Sequence, residues 1–143
     1  MNNPPRPIKA LGEVVLRARD LAAMREFYEK TVGLEVLERF ENMVFFQIGP
    51  GYAGHTQVLA VFAASTSGDH HSRTYTGVDP AKSPLHHFAL SLSLADFEAE
   101  KERLRNLGLE LDTAEHPSTH WRSFYFPDPE GNVVEFVCYD ETV

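Results

Sequence analysis

The sequence predicts an α+β fold built from two tandem βαβββ modules, and three observations predict it. Two stretches, "LGEVVLRARDLAAMREFYEKTVGLEVLE" (11 to 38) and "LHHFALSLSLADFEAEKERLRNLGLELDT" (85 to 113), follow one grammar: an alternating apolar strand, an amphipathic helix, then Gly-Leu-Glu and a second strand. Each helical stretch ends at a glycine, Gly33 or Gly108, the residue that most readily adopts the left-handed conformation closing a helix. Each is then followed by three extended segments bounded by turn residues.

In order, the first strand begins at Gly12-Glu13, and the first helix carries Leu21, Met24, Tyr28 and Val32 at helical spacing. "LEVLERF", "MVFFQIG" and "HTQVLAVFA" complete module one, about residues 10–63. The connection, 64–84, is rich in Ser, Thr, Gly, Asp and Pro and reads either as a functional flap, with His70 and His71, or as a plain linker. Module two, about 85–138, opens at the paired histidines and places Phe97, Leu104 and Leu107 on the buried stripe of its helix. "LELDT", "RSFYF" and "NVVEFV" follow. A chain of 143 residues, 43% hydrophobic and 24% charged, fits one globular domain, 1–143.

A net charge of -8 without a Lys/Arg run argues against nucleic acid as a partner. No apolar stretch approaches a membrane span, no signal sequence opens the chain, and Cys138 is the single cysteine. The expectation is a cytoplasmic protein that binds no membrane and carries no disulfide.

Side-chain alternation along strands selects the candidate site. In "HHFALSLS" the large residues Phe88, Leu90 and Leu92 should face the helices, with His86 on their side; His87 then shares the other face with Ala89 and Ser91. Val14, Leu16 and Ala18 face the helices in the first strand, which puts Glu13 on the opposite face, at the repeat position of His87. In "GNVVEFVCYD", Glu135 lies between apolar neighbours, where a lone charge would be costly. Two carboxylates and one imidazole on matching faces form the mixed nitrogen and oxygen set that suits a divalent first-row metal.

"LGEVVLRARDLAAMREFYEKTVGLEVLE", "LHHFALSL" and "SFYFPDPEGNVVEF" together resemble the vicinal oxygen chelate superfamily, which holds glyoxalase I, extradiol dioxygenases and fosfomycin-resistance proteins. The resemblance spans residues 10 to 138 and implies a curved, eight-stranded mixed sheet around a metal-binding cavity, helices outside. It implies one divalent ion (Zn, Ni, Co, Mn or Fe) held by Glu13, His87 and Glu135, although the family usually has His or Gln where this chain has Glu13. A fourth family ligand would fall at Ala60, which cannot bind metal; Gln57, three residues away, is the nearest side chain that could fill in.

The same resemblance makes Tyr125 a substrate-facing tyrosine. Trp121 and Ser123 share its strand face, and Phe46, its counterpart in module one, is expected as a cavity wall. His55, His116 and His120 are expected as loop or strand-end residues. The implied activity is a glyoxalase-like lyase or isomerase acting on a small-molecule substrate, with Glu13 or Glu135 as proton carrier. The alternatives are extradiol-type ring cleavage and a non-catalytic small-ligand-binding module; fosfomycin-type transfer ranks lower for want of a Lys/Arg cluster. A homodimer is expected both from family habit and from the general prevalence of twofold assemblies.

Overall fold

A computed structural model describes residues 6–64 and 75–143, so His70 and His71 lie outside the described residues. The chain divides into two compact units, Met1–Thr76 and Gly77–Val143.

In the first unit, β1 (Glu13–Ala18) leads into α1 (Leu21–Glu26), which continues as a π-helical segment (Phe27–Val32) before β2 (Glu35–Arg39), β3 (Met43–Tyr52) and β4 (His55–Ala63). Asp20 starts the helix by accepting the Ala23 amide at 3.0 Å, and Gly33 ends it at φ 87°, a conformation that costs glycine little. The sheet runs β1-β4-β3-β2, with β1 parallel to β4 and the other pairs antiparallel. Leu16, Ala18, Met24, Tyr28, Val32, Val44 and Leu59 are buried, and Tyr28 meets Phe46 at 5.9 Å between ring centroids. The expected alternation therefore holds along β1: Leu16 and Ala18 enter the core while Glu13 and Val15 stay exposed.

The second unit repeats the plan with β5 (Phe88–Ser91), α2 (Leu94–Asn106), β6 (Asp112–His116), β7 (Trp121–Pro127) and β8 (Val133–Tyr139), in sheet order β5-β8-β7-β6. Two four-stranded mixed sheets, each with its helix, make the fold α+β with two βαβββ modules. Ser93 caps α2, its hydroxyl oxygen accepting the Asp96 amide at 3.1 Å. Phe97 of α2 stacks on Phe124 with centroids 4.9 Å apart, and Phe124, Phe126 and Phe136 continue the cluster across β7 and β8. That cluster fixes which sheet face is covered by the helix; Ser123, Tyr125 and Glu135, at alternating positions, lie on the other face.

The "DPEG" turn is organised by its aspartate. Asp128 Oδ1 accepts the backbone amides of Glu130 and Asn132, both at 2.9 Å, and Oδ2 accepts the Asn132 side-chain amide at 2.9 Å. Gly131 supplies the left-handed residue at φ 93°.

Three expected details are corrected. β5 begins at Phe88, so His86 and His87 precede the ladder and strand alternation does not govern them. β6 spans Asp112–His116, three residues later than "LELDT", which brings His116 onto a strand. Leu107 caps α2 and is 57% exposed, because the helix ends at Asn106 before its stripe reaches that residue.

Candidate functional site

The registers of the two sheets establish which positions are equivalent. In unit one, Val15 pairs with Ala60, which pairs with Phe45; in unit two, Ala89 pairs with Glu135, which pairs with Tyr125. Two residues upstream of Val15 and Ala89 stand Glu13 and His87, so these share a repeat position, and Ala60 corresponds to Glu135. The same registers correct Phe46. Its ring is fully buried against Tyr28 on the helix side, so the counterpart of Tyr125 is Phe45, which stacks with Phe62 at 5.9 Å on the opposite face.

Glu135 is the centre of the site in unit two. Its carboxylate is 7% exposed, and a buried charge of this kind needs every oxygen engaged. Oε1 accepts hydrogen bonds from Ser123 Oγ at 2.5 Å and Tyr125 OH at 3.1 Å. Oε2 lies 2.9 Å from His87 Nε2. The division of labour follows from the ladder: Tyr125 is the direct cross-strand partner of Glu135, and Ser123 sits two residues away on the same face.

His87 lies edge-on to Tyr125, with ring centroids 5.7 Å apart and planes at 88°. Its second nitrogen, Nδ1, is 2.6 Å from Nδ1 of His86. Burial pushes the Tyr125 phenol above its usual range; the Ser123 hydroxyl pulls the other way, and the Glu135 charge adds to the rise. Tyr125 is thus held as a neutral hydroxyl, able to donate. Its oxygen also lies 3.4 Å from Nε2 of His116, the strand-end residue that closes β6.

The donor set can be tested for a metal by distance. Two donors each about 2.1 Å from one cation lie about 3.0 Å apart in octahedral and about 3.4 Å apart in tetrahedral coordination. His87 Nε2 and Glu135 Oε2, at 2.9 Å, have the octahedral spacing, which is also that of a direct hydrogen bond, and the hydroxyls on Oε1 orient the carboxylate as outer partners of a ligand do. Among the described residues, no group of three or more His, Cys, Asp or Glu is gathered closely enough to hold an ion. Glu13 stands exposed at the start of β1 in unit one.

Trp121 shares the face of Ser123 and Tyr125 but lies at the far end of β7, 48% exposed, opposite His116 and Tyr139. Gln57 donates its side-chain amide to the Pro50 carbonyl at 2.9 Å, beside the irregularity in β3 between Gln47 and Gly49. That bond uses the amide nitrogen and not the side-chain carbonyl oxygen, the atom a metal would take.

Residues 10–136 match the model of the Glyoxalase/Bleomycin resistance protein/Dioxygenase superfamily, and the chain belongs to that superfamily. It is similar to 3-methylcatechol 2,3-dioxygenase of Pseudomonas putida, 28% identical over 136 residues that make up 90% of this chain and 41% of the relative. The chain therefore spans about two fifths of that relative's length. Among solved structures it is similar to a lactoylglutathione lyase from Agrobacterium tumefaciens, with a TM-score of 0.71, 26% identity, and coverage of 93% of this chain and 96% of the other. A glyoxalase/bleomycin resistance protein/dioxygenase from Nocardioides shares the fold at a TM-score of 0.62 and 24% identity, over 99% of this chain and 89% of the other.

Proposed function

We propose that the protein is a divalent-metal-dependent enzyme of the glyoxalase-like type, acting on a small substrate that presents oxygen atoms to the ion. The observation that carries this reading is the split engagement of Glu135: Oε1 is clamped by Ser123 and Tyr125 while Oε2 is presented 2.9 Å from His87 Nε2. A buried carboxylate so oriented beside an imidazole has the chemistry of a ligand pair. Glu13 holds the repeat position of His87 in the first unit and is the donor which that unit offers on this reading.

When bound, the cation would supply positive charge that polarises a substrate carbonyl and acidifies the adjacent C–H. The chain's own residues divide the rest of the work. Glu135, fixed at Oε1, keeps its position through turnover. Glu13, exposed at a strand end, is the carboxylate that takes the proton and returns it. Tyr125, kept neutral by burial, donates its hydroxyl hydrogen bond and forms the wall against which the substrate rests.

Ring cleavage of a catechol is the second reading, favoured by the similarity to 3-methylcatechol 2,3-dioxygenase and by the approach of His116 to Tyr125, which brings a second imidazole near the phenol. Against it stands the donor set: one histidine with two carboxylates is richer in oxygen than the two-histidine, one-carboxylate triad of non-haem iron oxygenases.

The test is metal content by mass spectrometry of the untagged protein and of Glu13→Ala and His87→Ala, followed by two assays on the loaded wild type. Near-stoichiometric metal lost in both variants supports the three-donor site. Isomerisation of a diketone-derived hemithioacetal, or solvent exchange of a C–H next to a carbonyl, supports the lyase reading; oxygen uptake with 3-methylcatechol on iron-loaded protein replaces it with ring cleavage. A wild type that stays empty and cannot be loaded sinks both in favour of a ligand-binding module.

A further inference from the structure

We propose that His86 is the positioning residue of His87, gripping that imidazole at Nδ1 so that Nε2 is held toward Glu135; the assignment rests on the metal reading of the His87–Glu135 pair. His87 lies one residue before β5 begins, outside the paired register, so strand alternation does not set its ring, which side-chain contacts hold instead. Tyr125 meets it edge-on, which limits tilt, yet an aromatic edge does not choose between the two ring nitrogens.

His86 holds the second nitrogen. Its Nδ1 is 2.6 Å from His87 Nδ1, with ring centroids 4.9 Å apart at 71°, a distance that requires one hydrogen and one lone pair between the two nitrogens. The contact can be made in either direction. With a cation on the Nε2 lone pair, His87 carries its hydrogen on Nδ1 and donates it to His86. With Nε2–H donated to Glu135 Oε2 instead, His87 Nδ1 becomes the acceptor and His86 the donor. In both arrangements the ring keeps one orientation. A metal-bound histidine ordinarily spends its other nitrogen on a carboxylate, a backbone carbonyl or water. Here the adjacent residue in the chain supplies that partner.

The approach to the pair is locally built. Asp79 O accepts the amides of Lys82 and Ser83, and Ser83 Oγ accepts the amide of Leu85 at 3.2 Å, shaping the chain just upstream of His86. His86 itself is exposed and outside both sheets, so replacing it leaves the core untouched.

The experiment compares wild type, His86→Leu, His86→Asn and His87→Ala by Zn²⁺ affinity from competition titration and by ¹⁵N chemical shifts of the His87 ring in metal-free protein. Leucine removes the partner; asparagine restores a polar atom close to the place of Nδ1. The expected result is Zn²⁺ binding weakened about tenfold in His86→Leu, the usual scale for losing an outer partner, and recovered in His86→Asn. The His87 Nδ1 shift should move toward that of a ring nitrogen without a protein partner in His86→Leu alone. Wild-type affinity and an unchanged Nδ1 shift in His86→Leu would overturn the proposal. So would loss as complete as in His87→Ala without recovery by asparagine, which would make His86 a ligand. If wild type takes up no Zn²⁺, the metal reading fails on its own, and the ring ¹⁵N shifts alone decide whether His86 orients His87.

Discussion

Ser123 donates its hydroxyl to Glu135 Oε1 at 2.5 Å from the neighbouring strand, and this bond decides which way a buried carboxylate points. Removing it with Ser123→Ala leaves Tyr125 as the donor on that oxygen. The expected cost is about 1–3 kcal/mol of stability, the range for a buried group stripped of a partner. Metal affinity should fall about tenfold as the carboxylate loses its orientation. Urea unfolding and Zn²⁺ competition on the same samples check both. Unchanged affinity beside lost stability would reduce Ser123 to a purely structural residue.

Much of this arrangement was legible in the sequence because strand alternation is a strict rule wherever the ladder is intact. Leu16 and Ala18 inside and Glu13 outside followed directly from it, as did the shared face of Ser123, Tyr125 and Glu135. The rule misled where the ladder stops. His86 and His87 read as strand residues with opposed side chains, but they precede Phe88 and turn toward each other. The pair Phe45-Phe46 offers two identical side chains on opposite faces, so composition could not say which faced the helix; the contact of Phe46 with Tyr28 does. "LELDT" alternates more cleanly than "DTAEH", and choosing it left His116, expected as a loop or strand-end residue and found at the end of β6, without a register that would show its approach to Tyr125.

Arg25 links the first helix to the turn between β2 and β3. Its guanidinium donates to the Phe40 carbonyl, and to those of Glu41 and Met43, each at 3.5 Å, while Nε is buried without a partner. Charge-assisted bonds to backbone oxygens are worth more than neutral ones, and here they reinforce a turn in which the Met43 carbonyl also accepts the Phe40 amide at 2.9 Å. Arg25→Ala should destabilise the protein by about 2 kcal/mol. Hydrogen exchange should rise first around residues 40–43, and an unchanged exchange pattern there would disprove the link.

Cys138 is 3% exposed on β8, and burial pushes its thiol above the ordinary range, with the Arg122 charge pulling the other way and the Asp140 charge adding to the rise. A raised value in the folded state means the unfolded chain loses this proton first. The resulting contribution to stability is complete below the unfolded thiol's pKa and disappears as pH climbs through the folded one. Native protein at neutral pH should resist iodoacetamide, with alkylation following the unfolding curve in urea. Rapid labelling of the folded protein would contradict that burial.

Asp128 provides the last prediction, because the turn it organises delivers Glu135 to its place. Its two oxygens satisfy the amides of Glu130 and Asn132 and the Asn132 side chain, each at 2.9 Å, in a buried turn four residues after Phe124 and seven before Glu135. Asp128→Ala strands all three donors and should cost about 2–4 kcal/mol. Asp128→Asn keeps an acceptor for the two backbone amides while its NH₂ opposes that of Asn132, so it should retain part of the loss-sensitive stability. Since β7 and β8 meet at this turn, any shift in it moves Tyr125 and Glu135 relative to each other, and Asp128→Ala should therefore lose metal affinity along with stability. Thermal unfolding and Zn²⁺ titration separate the two effects. If the alanine variant melts earlier but binds Zn²⁺ as wild type does, the ladder alone holds Glu135, and the turn's aspartate contributes only to folding.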